Sequence, residues 1–201
     1  AITVEIKEGG ISFIRVTDYG CGMEHAQAPK AFLRHATSKI RTANDLSHIA
    51  SLGFRGEALS SIAAVSRVEL ITITAGVLTG RRYRIEGGEE GEAEEVGAPD
   101  GTTFLIRNLF FNTPVRKKFL KQPQTEGGYV SDLMEHMALA TPDISFQYIN
   151  NGQVRFHTSG NGDLREIFYR IYGRDISCAL LPIDVTQQGI HMEGFLGKPE
   201  I

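Results

Sequence analysis

The chain opens inside an alternating pattern. In Ile2-Thr3-Val4-Glu5-Ile6-Lys7 the apolar residues fall at every second position. Residues so spaced share one face of a strand and would be scattered around a helix. A second run, 11–17, follows across Gly9-Gly10 and reads as the other arm of a hairpin. The same reading predicts strands at 67–74, 80–86, 102–108, 144–149 and 153–157, the last two joined by the turn Asn151-Gly152. Helices are predicted over 25–35, 57–65 and about 126–140, the last stopping before Pro142. Pro29 is tolerable only in a first helical turn. Thr113-Pro114 reads as the N-cap and first residue of a short helix. Thr37 to Leu52 is polar and loop-like with short helical turns, and "EGGEEGEAEEVGAPDG" reads as a solvated acidic loop.

"TSGNGD", 158–163, is the linker candidate, so residues 1–158 are expected to form one domain. A helix over 163–173 and strands over 178–185 and 189–196 follow, too little for a domain of their own. Because the sequence starts within a strand pattern and stops soon after this linker, the expectation is a piece cut at both ends, with 163–201 the start of a second domain.

At 201 residues, 41% hydrophobic and 22% charged, the chain has the composition of a globular protein. Its formal net charge of -3 means that any nucleic-acid contact must come from a local basic patch. No apolar run is long enough for a membrane span, and no signal peptide opens the chain. Cys21 and Cys178 are the only cysteines, without C-x-x-C or H-x-x-x-H spacing, which argues against zinc and fits a reducing compartment. The scattered histidines read as surface or capping residues.

Three glycine sites could hold a ligand. The first is Asp18-x-Gly20-x-Gly22 after a strand, where two glycines let a flat ring approach and Asp18 offers an acceptor for an exocyclic amine. The plain alternative is a tight turn with an Asx cap. The second is Gly53-Phe54-Arg55-Gly56-Glu57 before the helix that begins with Ala58 and Leu59. Free amides and the dipole of a helix start favour an anion such as phosphate. The alternative is an exposed loop with a well-capped helix, and the spacing is not that of a Walker A loop. The third is Gly101-Thr102-Thr103 at a strand start, where a hydroxyl could bond the aspartate and the base, or simply be strand chemistry.

Taken in order, D-x-G-x-G, "ATSKI", "LGFRGEALSSI", G-T-T and "LFFNTPVRKKFL" resemble the MutL family of DNA mismatch-repair ATPases, in the superfamily of gyrase, heat-shock chaperone and histidine-kinase ATP sites. The resemblance covers nearly the whole chain. It implies an α/β (α+β) two-layer sandwich, a mixed, mostly antiparallel sheet with helices on one face and ATP between them. It implies that Asp18 reads the adenine amine, that Gly20 and Gly22 shape the base pocket, and that Thr37, Ser38 and Lys39 belong to a mobile lid. Gly53, Phe54, Arg55, Gly56, Glu57, Ala58 and Leu59 would fold over the triphosphate, and Thr102 would support the aspartate. It further implies a homodimer, DNA, a mismatch-recognition protein and a repair endonuclease or helicase as partners, and a second domain like domain 2 of ribosomal protein S5. The "LGFRGEAL" form resembles bacterial members, hence a cytoplasmic protein.

The family's catalytic glutamate and its magnesium-binding asparagine lie on a helix that would precede Ala1, and a γ-phosphate lysine would follow Ile201. By resemblance these residues would bind ATP weakly and not hydrolyse it, and Mg2+ would lack its ligand here. Tyr19 stands where the family usually has asparagine. A rival reading makes the chain a non-enzymatic DNA-binding or scaffold segment, on the basic run Arg116, Lys117, Lys118 and Lys121 with Phe119 interleaved. The same run also reads as a solvated helix face. A gyrase-like or kinase-like relative is disfavoured, because those relatives use other lid sequences.

Overall fold

The computed structural model describes residues 1–37, 39, 40, 45, 48, 53 and 55–199. Among these residues, nine strands form one sheet: β1 Ile2–Lys7, β2 Phe13–Asp18, β3 Arg67–Ile73, β4 Gly80–Glu86, β5 Glu89–Glu90, β6 Glu94–Val96, β7 Gly101–Arg107, β8 Phe146–Asn150 and β9 Gln153–His157. Their order is β5-β4-β3-β7-β2-β1-β8-β9, with β6 also on β4. β1 and β8 run parallel; the other pairs are antiparallel. The helices are α1 Ala58–Ala63, α2 Pro114–Lys117, α3 Pro123–Ala140 and α4 Leu164–Cys178. A separate hairpin, β10 Leu180–Gln187 with β11 Ile190–Gly197, ends the described chain.

Register explains the layering. Val4, Val16, Phe104 and Leu70 line up across four strands, so the apolar phases of β1, β2, β7 and β3 fall on one face. Helices cover that face in two places. Met134 and Ala138 of α3 and Ile167 of α4 pack with Val4, Ile6, Phe146, Tyr148 and Phe156. Ala63 of α1 and Phe32 pack with Val68, Leu70, Ile85 and Ile106, and Ile14 touches both clusters. The opposite face carries polar pairs, including Arg15–Glu5 at 2.7 Å and Arg107–Glu69 at 3.5 Å.

Several expectations need correction. The helix expected over 25–35 is a run of turns and a 3-10 helix, Pro29–Phe32. Pro29 has no amide proton, so it cannot bond the His25 carbonyl as an α-helix would require. The Tyr83 hydroxyl donates to that carbonyl instead, at 2.7 Å. The acidic segment is no free loop: β5 and β6 pair with β4 along one edge. There Glu94 meets Arg84 at 2.8 Å and Glu95 meets Arg81 at 3.2 Å, which gives the acidic residues a reason to lie on the sheet. Thr113 precedes α2 as expected, but its side chain makes no capping bond. α3 begins earlier than expected, with Pro123 in its first turn. α4 runs on to Cys178 through a break at Gly173, whose φ is 85°.

The expected linker is anchored throughout. Thr158 is buried and its Oγ1 accepts from the Phe146 amide at 2.9 Å. Asp163 caps α4, accepting from the amides of Arg165 and Glu166 at 2.9 and 3.2 Å. Glu166 in turn accepts from Ser159 Oγ at 2.9 Å and Asn161 Nδ2 at 2.7 Å. The Ser159 bond, with those from Asn161 and Arg170, holds its carboxyl below the usual carboxylate range.

Two stability outcomes follow from these contacts. Tyr83→Phe leaves the His25 carbonyl without its donor and is expected to lower unfolding free energy by about 1 kcal/mol. Asp163→Ala is expected to cost about 1 kcal/mol through the lost cap, with Asp163→Asn close to wild type. Chemical denaturation checks both, and unchanged midpoints would contradict these assignments.

Candidate functional site

β2 ends, β7 begins and β3 ends at the same edge of the sheet. Asp18 lies opposite Thr102, and Thr102 lies opposite Thr72, so these side chains form one polar row at the end of an otherwise apolar face. Thr72 is fully buried and Thr102 nearly so. Thr72 Oγ1 accepts from the Met23 amide at 2.8 Å, donates to the Gly101 carbonyl at 3.1 Å and lies 3.4 Å from Thr102 Oγ1. The Thr102 hydroxyl thus meets Thr72, while Asp18 Oδ1 accepts from the Gly20 amide at 3.0 Å. That last bond is the Asx turn of the plain reading. It leaves the carboxylate with further acceptor sites.

Gly22 closes the loop. Its φ is 70°, and a Cβ there would overlap the Ile73 carbonyl oxygen, so the loop backbone lies directly on the end of β3. Tyr19 is exposed beside this row. Thr72 is the member of this row that the glycine motifs do not mark. Its signal is a polar residue in the apolar phase Val68, Leu70, Thr72 of β3.

The second group surrounds the start of α1. Gly56 has φ 67°, and a Cβ there would overlap the Ala36 carbonyl oxygen, so the 55–57 turn packs on the segment that carries Thr37 and Lys39. Glu57 bonds His35 Nδ1 at 3.0 Å and Arg55 Nε at 3.1 Å. It stands at the N-cap position but its side chain does not cap the helix. Thr37 Oγ1 accepts from the Lys39 amide at 3.2 Å. Ser38 and Phe54, like most of 41–52, lie outside the described residues. Met23 beside Gly22 and Leu59 in α1 pack against the same apolar cluster, which holds the two groups on one side of the sheet.

The described residues contain no grouping of three or more His, Cys, Asp or Glu side chains able to hold a metal ion. No described helix is long and apolar enough to cross a membrane.

The basic run divides. Arg116, Lys117 and Lys118 are exposed, with Phe119 82% exposed beside them. Lys121 instead donates to Tyr129 Oη at 2.6 Å and lies over that ring, and the bond to Tyr129 raises its pKa above the ordinary lysine value. Loop 108–113 leaves β7 at the end away from Thr102 and bonds the backbone of Ile11, Ser12 and Val65. The basic run and the Asp18 row thus belong to opposite ends of β7.

Because Gly22 meets both a left-handed backbone and a carbonyl, Gly22→Ala is expected to lower stability by more than about 1 kcal/mol. A thermal midpoint equal to wild type would contradict the close approach.

No protein-family model matches the chain. Over 201 residues it is 62% identical to the DNA mismatch repair protein MutL of Agathobacter rectalis, covering 100% of this chain and 31% of that protein. It is 46% identical over 197 residues to the MutL of Caldanaerobacter subterraneus subsp. tengcongensis, covering 98% of this chain and 33% of that one. Its fold matches an Aquifex aeolicus MutL ATPase domain complexed with ADP, with a TM-score of 0.76 and 26% identity over 98% of this chain and 68% of that one. The chain spans about a third of the length of the curated relatives. On this agreement of sequence and fold, the chain belongs to the MutL family of DNA mismatch-repair proteins.

Proposed function

We propose that this chain is the ATP-binding region of a mismatch-repair mediator, in which nucleotide binding is coupled to conformational change and to recruitment of repair enzymes. The observation that carries the reading is the row Asp18–Thr102–Thr72, a carboxylate and two hydroxyls at the end of an apolar sheet face under a glycine loop. A flat base entering there finds apolar surface for its ring and an acceptor for its amine. The relative solved with ADP supports adenine as that base. In this reading Gly20 and Gly22 line the base pocket. Arg55 and the amides from Gly56 to Leu59 face the phosphates, with Thr37, Ser38 and Lys39 on the lid side.

A magnesium ion arriving with the triphosphate would draw most of its ligands from the phosphates and water, so it needs no cluster of protein carboxylates. Glu57, a carboxylate within the proposed phosphate loop, is engaged by His35 and Arg55. Residues 163–201 are proposed to begin a second, transducer-like domain; β10 and β11, which form a sheet of their own, support this, while α4 joins them to the first core through Ile167. A homodimer in the bacterial cytoplasm, acting with a mismatch-recognition protein and a repair endonuclease or helicase, is the setting the family suggests.

A second reading adds DNA at Arg116, Lys117 and Lys118, favoured by their exposure around an exposed phenylalanine. Lys121 is the weaker member of that run, because Tyr129 already engages it.

Three outcomes test these readings. Asp18→Asn exchanges a charged acceptor for an amide and is expected to weaken ATP binding by about 1.5–3 kcal/mol without unfolding the domain; equal affinities by calorimetry would remove Asp18 from the base site. Lys117→Glu with Lys118→Glu is expected to flatten the dependence of DNA affinity on salt; an unchanged slope returns the run to a solvated face. The 201-residue chain alone is expected to turn over no ATP above background. Magnesium-dependent hydrolysis that survives Glu57→Gln would show that the catalytic groups have been misplaced.

A further inference from the structure

Thr72 is fully buried, and its one oxygen atom touches each of the segments that build the proposed base pocket. A hydroxyl has one proton and two lone pairs. The proton goes to the Gly101 carbonyl at 3.1 Å, where β7 begins. One lone pair takes the Met23 amide at 2.8 Å, where the glycine loop ends. The other faces Thr102 Oγ1, more loosely, at 3.4 Å. Because the proton of Thr72 is committed to Gly101, Thr72 meets Thr102 as an acceptor.

The loop from Asp18 to Met23 is thereby fixed at both ends. Asp18 is held in the ladder opposite Thr102, and Met23 hangs on Thr72 next to the point where Gly22 lies against Ile73. Without the Thr72 hydroxyl, the Met23 amide and the Gly101 carbonyl would each lose a partner. A buried backbone group without a partner moves to find one. The Met23 end of the glycine loop and the Gly101 end of β7, between which the Asp18 carboxylate and the Thr102 hydroxyl sit, would then move independently.

We propose that Thr72 is a positioning residue that sets the base selectivity of the site, holding the Asp18–Met23 loop and the start of β7 so that the Asp18 carboxylate and the Thr102 oxygen both meet the base as acceptors. The inference rests on the nucleotide reading above. Two acceptors at that height pair with the exocyclic amine of adenine and repel the 6-oxo group that replaces it in hypoxanthine. Selectivity for ATP over ITP is therefore the property that depends on this arrangement.

The test measures dissociation constants of the full-length protein for ATP, ITP and inorganic tripolyphosphate, with thermal midpoints alongside, for wild type, Thr72→Ser and Thr72→Val. Wild type is expected to prefer ATP. Thr72→Ser keeps the hydroxyl and should hold the ATP-to-ITP ratio within about twofold. Thr72→Val should lower that ratio about tenfold, equivalent to about 1.4 kcal/mol, and leave tripolyphosphate affinity unchanged. Should Thr72→Val not fold, Thr72→Cys, a weak donor and acceptor of similar size, carries the same comparison. Equal loss of all three ligands, which damaged packing alone would produce, would overturn the proposal, as would a wild-type ratio in the valine variant. A wild-type protein that binds ATP and ITP alike overturns it too. One that binds tripolyphosphate but no ATP overturns the nucleotide reading beneath it.

Discussion

The pairing of β7 with both β2 and β3 is the constraint on which the rest depends. A strand's side chains alternate between faces, so a slip of one residue on either side of β7 would turn Thr102 to the open face and its apolar partners with it. The register that packs Phe104 and Ile106 against Val16, Leu70 and Val68 is the same register that sets Asp18, Thr102 and Thr72 side by side. Core packing and site geometry are thus one specification. The polar row sits where the apolar phase of three strands runs out, at the edge where a loop can cover it.

That arrangement also explains the small-residue requirements of the loops. Gly22 and Gly56 each lie against a carbonyl oxygen at a backbone angle that side chains rarely adopt, and each brings a loop down onto a rigid neighbour, β3 in one case and Ala36 in the other. Backbone left unpaired elsewhere is paired by side chains from the sheet. Tyr83 serves the carbonyl that Pro29 cannot serve, and Thr72 serves both Met23 and Gly101. The helix-covered layer is therefore tied to the sheet by specific hydrogen bonds as well as by the two apolar clusters.

Much of this was legible in the sequence. The period-2 runs gave the strands within a residue or two, because a half-buried strand leaves its alternation in the residues themselves. The Asp18 loop, the 53–59 segment and Thr102 stand out in the sequence by their glycines and their place after or before a strand, and the register sets Asp18 opposite Thr102; their role at a nucleotide is a proposal. Other features depend on partners distant in sequence. The acidic segment reads as solvated until Arg81 and Arg84 of β4 are placed beside it. The 25–35 segment reads as a helix until Pro29 is weighed against a hydroxyl 54 positions further on, at Tyr83. Thr72 looks like ordinary strand chemistry until the register of three strands is known. The expected linker shows its glycines in the sequence but not the buried Thr158 and the Glu166 bonds that hold it.

The central claim is that an adenine nucleotide binds at the Asp18 end of the sheet, on its helix-covered face. Backbone amide shifts followed by NMR during titration with ADP test it directly, because the two ends of β7 report separately. The account predicts that the largest changes fall on Gly20, Gly22, Met23, Thr72, Thr102 and the 55–59 turn, with Arg107 and α2 nearly still. Changes confined to α2 or to the β10–β11 hairpin, or none at saturating ADP, would contradict it.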